Sequence, residues 1–275
     1  MPLSRMGSAL SDEILALADD LMEEGNYNEA ITEYKRFAFF NPESERVGYA
    51  LFRMGLAHRA ERNWQAAIDA FSGSIFATEK PEIADERRII LATTLIASGN
   101  YSLARLKLLD VTELSKNPSL NIRSLYFDGV ASLYMFDWDS AGQTFRRFYS
   151  ERSGGEMTER AGQVDAILIR ARKSYKSEGL AGFFSTIIPG LGQIYAGNWR
   201  SGLNALLLNS VTIGFLANRI HKEDYKNAAL VSSIALRYYM GNIYNARMDI
   251  RKYNESQDRQ NASKILNIVR EDEPQ

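Results

Sequence analysis

The sequence predicts an all-α protein, in which an α-solenoid of four helix pairs is followed by a hydrophobic helical hairpin. Two observations predict this fold class. Four columns of residues recur every 37 positions through the first half of the chain, and charged residues become rare between positions 179 and 246. With 275 residues, 45% of them hydrophobic, the chain is long enough to bury a core in each part.

The repeat is defined by four alanines that lie 37 residues apart: Ala30, Ala67, Ala104 and Ala141. Three more columns keep the same register, with an aromatic residue three positions before each alanine, a large apolar residue four positions after it and a small residue twelve positions before it. The aromatic residues are Tyr27, Trp64, Tyr101 and Trp138. The large apolar residues are Tyr34, Phe71, Leu108 and Phe145, and the small residues are Ala18, Gly55, Ala92 and Gly129. Such a period indicates stacked helix pairs, in which the small residue lets the first helix approach its partner.

A short turn is predicted between the two helices of the first pair. Gly25 favours the left-handed conformation that ends a helix, and Asn26 is a residue type that caps the next one. The same two residue types recur at Gly99 and Asn100. The sequence therefore predicts the same turn in the third pair.

The columns contain a longer pattern of apolar, small and aromatic residues. The first unit supplies Leu17, Ala18, Leu21, Ala30, Tyr34 and Pro42; the second Met54, Gly55, Ala67 and Phe71; the third Leu91, Ala92, Leu95, Ala104 and Leu108. In this pattern residues 11 to about 150 resemble the tetratricopeptide repeat family, although the fourth unit carries Asp128 and Ser132 where apolar residues are expected. The family's period is about 34, so we expect the extra residues in the loops around Glu43, Lys80 and Asn117. An unrelated helical bundle is the alternative.

The resemblance implies a concave groove, lined by the first helix of each pair, that binds a peptide or helix of a protein partner. At the family's spacing its positions are Phe52, Leu56, Arg59, Ile89, Thr93, Ile96, Tyr126, Val130 and Leu133. These residues are largely apolar and lack the Lys and Asn with which chaperone-binding members hold a carboxylate. The predicted occupant is an apolar helix or segment, oriented by Arg59. Alternatively, the residues only pack between helices, or a second copy or the chain's own C-terminal half covers them.

The second half of the chain is predicted to be a hydrophobic hairpin. Only seven of the 68 residues from Gly179 to Ala246 are charged. Two apolar helices are predicted at 201–218 and 227–246, with a polar loop at 219–226 between them. The first is near the lower length limit for a membrane span, and Arg237 opposes insertion of the second by itself. The helices could enter a membrane as a pair or form a buried globular hairpin.

A glycine-rich segment precedes these helices, with Pro189, Gly190, Gly192, Gln193, Tyr195 and Gly197 in a P-G-x-G-Q-x-Y-x-G pattern. Through this pattern residues 180 to about 250 resemble small two-helix membrane hairpin domains of bacteria. The resemblance implies that the chain associates with a membrane. If the two helices enter it as a pair, we expect Asn204 and Asn209 to form hydrogen bonds across the pair and Arg237 to face inward. We expect a bacterial inner-membrane protein; a cytoplasmic protein is the alternative. The N-terminus lacks the apolar core of a secretory signal, yet a removed signal would reverse the side that the repeats face.

The predicted domains are a solenoid at 1–150, a capping or linker helix at 151–178, the membrane-associated hairpin at 179–250 and a polar tail with a short helix at 251–275. Gly154 and Gly155 mark the break before the linker helix. The acidic end of the tail is expected to be frayed.

Composition excludes several kinds of chemistry. The chain has no Cys and only two His, which excludes disulfides, thiol catalysis and metal sites with thiolates or three imidazoles. The net charge of −1 gives no general attraction for nucleic acid. His58 occupies the column of Leu21 and Leu95, which favours a packed side chain over a catalytic base. We expect a non-enzymatic adaptor with no cofactor, metal or nucleic acid; the alternative is a soluble structural protein whose hairpin fills its own groove or mediates homo-oligomers.

Overall fold

The structure is a computed structural model that describes residues 3–152 and 154–274, with side chains described from residue 11 onward. The described residues contain no strand and confirm the all-α fold class. The helices are α1 (Leu3–Glu23), α2 (Tyr27–Phe40), α3 (Val47–Ala60), α4 (Trp64–Phe76), α5 (Pro81–Ala97), α6 (Tyr101–Leu114), α7 (Pro118–Tyr134), α8 (Trp138–Ser150), α9 (Gly155–Lys173), α10 (Glu178–Ile187), α11 (Leu191–Ala196), α12 (Trp199–His221) and α13 (Tyr225–Val269), before a 3₁₀ turn at Arg270–Asp272.

The chain divides into two compact units. Unit 1 consists of Met1–Asp165 together with Leu266–Gln275, and unit 2 of Ala166–Ile265. The first eight helices of unit 1 pack in sequence as four antiparallel pairs, α1–α2 to α7–α8, and each pair contacts the next. This arrangement confirms the predicted α-solenoid.

The columns of the repeat form the core of unit 1. All four column alanines are fully buried, and the four large apolar residues that follow them are buried as well. In the fourth pair, a Cβ atom on Gly129 would lie 2.7 Å from the ring of Phe145. The predicted close approach of the paired helices is therefore present, because a larger side chain at the small position would collide with the second helix.

The turn within each pair contains a left-handed residue at the same position of the repeat. The φ values are +80° at Gly25, +59° at Arg62, +84° at Gly99 and +55° at Phe136. The prediction from Gly25 and Gly99 is correct and extends to two positions where the residue is not glycine. The predicted cap by Asn26 is wrong: its side chain makes no capping hydrogen bond and instead donates to Glu24 at 2.9 Å.

The extra residues of the 37-residue period lie only in part where they were predicted. The loop 41–46 contains Glu43, as expected. At the next two junctions the extra length is helical, because α5 and α7 have 17 residues each whereas α3 has 14. Pro81 and Pro118 start these longer helices; proline favours the first helical position, where its missing N–H is not needed. Lys80 and Asn117 are thus N-cap residues of extended helices.

The C-terminal region differs from the predicted division. α13 is a single helix of 45 residues, so the expected boundary between residues 250 and 251 falls inside it. No Gly or Pro occurs between Gly241 and Pro274 to end the helix. The acidic end is not frayed, since Asp272 is buried in unit 1 with only 2% of its surface exposed.

Unit 2 is built on a small core. Ala181 of α10, Ala196 of α11, and Ala246 and Ile250 of α13 form a buried cluster against which Tyr195 packs. The two apolar helices are longer than predicted, and a short turn at 222–224 joins α12 to α13. Arg219 and Asp224 form an ion pair of 3.3 Å at this turn.

Candidate functional site

Three of the nine predicted groove residues do not line an open surface. Ile89 and Leu133 are fully buried, and Tyr126 is 5% exposed. The Tyr126 ring packs against Phe127 and Phe148, with centroid distances of 5.1 and 5.7 Å. Burial, together with the negative charge of Glu273, raises the pKa of Tyr126 to about 12. These three side chains pack inside the solenoid, so the predicted groove lining is wrong at these positions.

The other six predicted groove residues are partly exposed: Phe52, Leu56, Arg59, Thr93, Ile96 and Val130. Phe52, Leu56 and Ile96 also pack against the buried cluster of the second and third repeats. Arg59 donates a hydrogen bond of 3.1 Å to the hydroxyl of Thr93, so it connects α3 with α5. Burial lowers the pKa of Arg59. On α3 and α5 the structure thus brings together the apolar side chains of Phe52, Leu56 and Ile96 and the guanidinium of Arg59.

The chain's own acidic end occupies one part of unit 1. The buried carboxylate of Asp272 accepts hydrogen bonds from the Tyr149 hydroxyl at 2.9 Å and from the Arg160 guanidinium at 2.7 Å. Arg152 donates to the backbone carbonyl of Asp272 at 2.6 Å. Sequence reasoning missed this site, since the partners lie more than 100 residues apart; the only local signal was an acidic run directly after an apolar helix.

Hydrogen bonds and ion pairs account for the Asp128 side chain that departs from the apolar pattern in the fourth repeat. Arg105 donates to the Asp128 carboxylate at 2.8 Å, and the Thr144 hydroxyl donates to its other oxygen at 2.8 Å. Arg105 also pairs with Asp137 at 3.2 Å. Asp128 therefore stabilises the contact between the third and fourth repeats through hydrogen bonds instead of apolar packing. Ser132 is buried, and its hydroxyl has no partner among the described residues.

The glycines of the predicted hairpin motif permit close backbone contacts in unit 2. A Cβ atom on Gly190 would lie 2.1 Å from the carbonyl oxygen of Gly202, and one on Gly192 would lie 2.2 Å from that of Ala181. Gly190 and Gly197 also have positive φ values, +101° and +95°. Any larger residue at Gly190 or Gly192 would push α11 away from its neighbours.

The polar residues of the motif hold the helices of unit 2 together. Gln193 is 2% exposed and donates to the backbone carbonyl and the side-chain oxygen of Asn242, at 3.1 and 2.6 Å. The Ser185 hydroxyl donates to the Gln193 side-chain oxygen at 3.2 Å. The Tyr195 hydroxyl accepts from the backbone N–H of Ser177 at 3.3 Å. Pro189, half-buried, precedes the left-handed Gly190.

Beyond this core the hairpin exposes a large apolar surface. α12 is the one helix among the described residues that is long and apolar enough to cross a membrane: an 18-residue stretch of it has a mean hydropathy of 1.2, and only 6% of that stretch is buried. Its exposed residues include Leu206, Leu207 and Leu208. Successive helix positions differ by about 100° in direction, so these three leucines spread over about 200° of the helix circumference. α13 adds Leu230, Ile234, Leu236, Tyr238, Met240 and Tyr244.

The two helices enclose a polar cleft of about 560 Å³. Arg237, predicted to face inward, lines it together with Gln193. Four asparagines contribute to the same lining: Asn204, Asn209, Asn242 and Asn245. Arg237 is exposed within this cleft. Gln193 of the hairpin motif and Arg237 of α13 thus line the same cleft.

Among the described residues, no group of three or more His, Asp and Glu side chains could hold a metal ion. His58 is half-buried with an unpartnered Nδ1. Burial, with the positive charge of Lys35, lowers its pKa. This environment favours the neutral imidazole.

Comparison with protein families matches residues 49–73, which span most of α3 and α4, to the family described as Tetratricopeptide repeat. No curated protein matches the chain significantly. The matched segment is the second unit of the repeat, and the other three pairs share its columns and its helix arrangement. Unit 1 is therefore a tetratricopeptide-like α-solenoid, and repeats of this kind indicate a role in protein–protein interaction.

Proposed function

We propose that this protein is an adaptor anchored in a bacterial inner membrane by α12 and the apolar part of α13, and that its repeats bind a protein partner. The observation that carries the anchor is the exposed apolar surface of α12. In water such a surface exceeds what soluble proteins usually leave uncovered. A helix of 23 residues is about 35 Å long, which is sufficient for a hydrocarbon core of about 30 Å.

The arrangement within unit 2 supports insertion as a pair. α12 by itself carries Asn204 and Asn209, which oppose transfer into lipid. Asn209 is 4% exposed, and its amide donates to the backbone carbonyl of Ala205 at 2.8 Å. Polar side chains of the two helices face a shared cleft, while Leu206 and Leu207 are exposed outside it. Such a pair costs less to insert than either helix alone.

Alkaline carbonate extraction tests the anchor on the full chain expressed in bacteria. We expect the protein to remain in the membrane pellet and to leave it only with detergent. Release by carbonate would contradict the anchor and would favour a soluble structural protein that covers its apolar helices by self-association.

Cysteine labelling gives a sharper test, because the chain has no native cysteine. Leu207→Cys on α12 should resist a water-soluble maleimide in intact membranes and react after detergent is added. Lys264→Cys, an exposed position of α13 beyond the apolar stretch, is the matched control and should react from one side of the membrane without detergent. The side from which it reacts reports the orientation of this part of the chain. Equal labelling of both cysteines before detergent would contradict insertion.

The partner-binding surface consists of the six groove residues that remain partly exposed on α3, α5 and α7. An apolar helix or segment fits Phe52, Leu56 and Ile96, and Arg59 would pair with a polar group on it. We expect Leu56→Asp and Ile96→Asp to abolish capture of the partner in pull-downs from detergent extracts, with unchanged circular dichroism. The control is Leu106→Asp, an exposed leucine of α6 outside this set. Unchanged capture by the Leu56 and Ile96 variants would contradict the groove.

A further inference from the structure

The cleft between α12 and α13 is unusual for a surface that is otherwise apolar. Its lining lies on Ser201 to Asn209 of α12 and on Arg237 to Lys252 of α13, so it occupies the half of the hairpin away from the turn at 222–224. In a membrane-spanning hairpin this half would meet one of the two interfaces, where lipid headgroups lie. The end of the cleft at Asn245 and Lys252 would therefore lie near the depth of the headgroups, whereas Arg237, about 18 Å along α13 from Tyr225, would lie deeper and extend its long side chain towards them.

The charge of the cleft favours an anion. Arg237 and Lys252 bring two positive charges, and Asp249 brings one negative charge. The Asp249 carboxylate already accepts a hydrogen bond from Asn198 at 3.3 Å. Arg237 forms no ion pair with any described residue. An arginine in an apolar helix is costly without a partner, and a guanidinium binds phosphate well because its donors match two phosphate oxygens.

A second observation points to a missing acceptor. Asn242 lines the cleft and is 5% exposed. Its side-chain oxygen accepts from Gln193 at 2.6 Å, yet its Nδ2 donor has no partner among the described residues. A buried donor without an acceptor costs about 1 to 3 kcal/mol. The exposed amides of Asn204 and Asn245 offer further donors at the same site.

The walls of the cleft favour a ligand that also has apolar chains. Leu208 and Tyr238 line the cleft and are both 46% exposed, so they continue into the outer apolar surface of the hairpin. A molecule with an anionic group and acyl chains would satisfy both kinds of contact. Free phosphate would satisfy only the first kind.

We propose that this cleft binds the phosphate of an anionic phospholipid, with Arg237 as its ionic partner and Asn204, Asn242 and Asn245 as hydrogen-bond donors. The inference rests on the proposed membrane anchor and assigns a ligand to it. Bound lipid would fix the hairpin relative to the interface through its headgroup.

Native mass spectrometry of the full chain in mild detergent tests the proposal, with phosphatidylglycerol and phosphatidylcholine added as probes. We expect the protein to retain phosphatidylglycerol in preference to phosphatidylcholine. Arg237→Gln should reduce this retention about tenfold, the effect of losing one charge-assisted hydrogen bond. Asn245→Leu, a second variant at an exposed position, should reduce it less. The matched control is Arg200→Gln on the same hairpin, outside the cleft, and it should behave as the wild type.

Several results would overturn the assignment. Equal retention of both lipids by the wild type, or unchanged phosphatidylglycerol retention in Arg237→Gln, would contradict a headgroup site. Displacement of the lipid by inorganic phosphate at equal concentration would assign the cleft to a free anion. A wild-type dimer that becomes monomeric in Arg237→Gln, without bound lipid, would assign it to a second copy of the chain. Carbonate extraction of the same variants distinguishes the two failures. A variant that stays in the membrane pellet but loses the lipid lacks the binding site, whereas release from the pellet means that the anchor itself has failed.

Discussion

Gly55 of α3 lies directly against the ring of Phe71 of α4. A Cβ atom on Gly55 would lie 2.6 Å from two carbons of the Phe71 ring, well inside van der Waals contact. The first and third repeats place Ala18 and Ala92 in the same column, opposite Tyr34 and Leu108. In the second, third and fourth repeats the sizes compensate, with glycine opposite phenylalanine and alanine opposite leucine; the first repeat, with Ala18 opposite Tyr34, does not follow this pattern.

Gly55→Ala should destabilise unit 1. Alanine improves helix propensity by about 1 kcal/mol, but overpacking against the ring costs about 1 to 3 kcal/mol. We expect a net loss of about 1 kcal/mol in the free energy of unfolding. The double variant Gly55→Ala with Phe71→Leu, which copies the third repeat, should recover part of the loss. Denaturation followed by Trp64 and Trp138 fluorescence, with Trp199→Phe as background, measures both; an additive loss in the double variant would contradict the size match.

Arg62→Gly should stabilise unit 1. Arg62 has a φ value of +59° in the turn between α3 and α4, where the first and third repeats have glycine. A left-handed residue with a side chain costs about 1 to 2 kcal/mol, and glycine offsets this by losing more entropy on folding, about 0.5 to 1 kcal/mol. The expected gain is about 0.5 to 1 kcal/mol by the same fluorescence assay. Arg62→Ala keeps the strain and should give no gain; equal effects of both variants would point to the arginine charge instead.

Asp272→Ala should release the C-terminal end from unit 1. The buried Asp272 carboxylate accepts hydrogen bonds from Tyr149 and Arg160, so its removal leaves the buried Tyr149 hydroxyl without its acceptor, at a cost of about 1 to 3 kcal/mol. Burial and the hydrogen bond to Asp272 also raise the pKa of Tyr149, and this shift should diminish. Hydrogen exchange of residues 266–272 should accelerate. The adjacent Glu271→Ala, whose side chain is 70% exposed, is the control and should change little.

His58→Leu should reduce the pH dependence of stability near pH 6. Burial and Lys35 hold the pKa of His58 below its ordinary value, so the unfolded chain binds a proton more readily than the folded one. The folded state should therefore lose stability as the pH falls below about 6.5, the pKa of an unfolded histidine. The first and third repeats have leucine in this column. His58→Leu therefore removes the titrating group and introduces a residue that the column already contains. The stability of both proteins between pH 5 and pH 7.5 measures the effect; His221→Gln serves as the control, and identical pH profiles for His58→Leu and wild type would contradict it.

The fold of the repeats could be predicted because its signals are local and periodic. A 37-residue spacing fixes which residues of a helix pair face each other, and Gly25 and Gly99 mark where helices turn. In the hairpin motif, Gly190 and Gly192 lie at close backbone contacts, where only glycine leaves room. These features depend on residue size and spacing along one or two helices.

The candidate sites depended on contacts that no local pattern contains. Ile89, Tyr126 and Leu133 have the spacing of groove residues, but the packing of neighbouring helices buries them. Arg62 and Phe136 adopt left-handed turns because the tertiary arrangement of the repeats outweighs their conformational preference.

By itself, the sequence determined the all-α class, the register of the repeats and the position of the apolar hairpin. Only the tertiary structure decided that Asp272 is buried against Tyr149, 123 positions away, and that Arg237 shares a cleft with the asparagines of α12. The physical reason is that helix formation follows from neighbours a few residues apart, whereas burial and ion pairing depend on which distant segments meet when the chain folds.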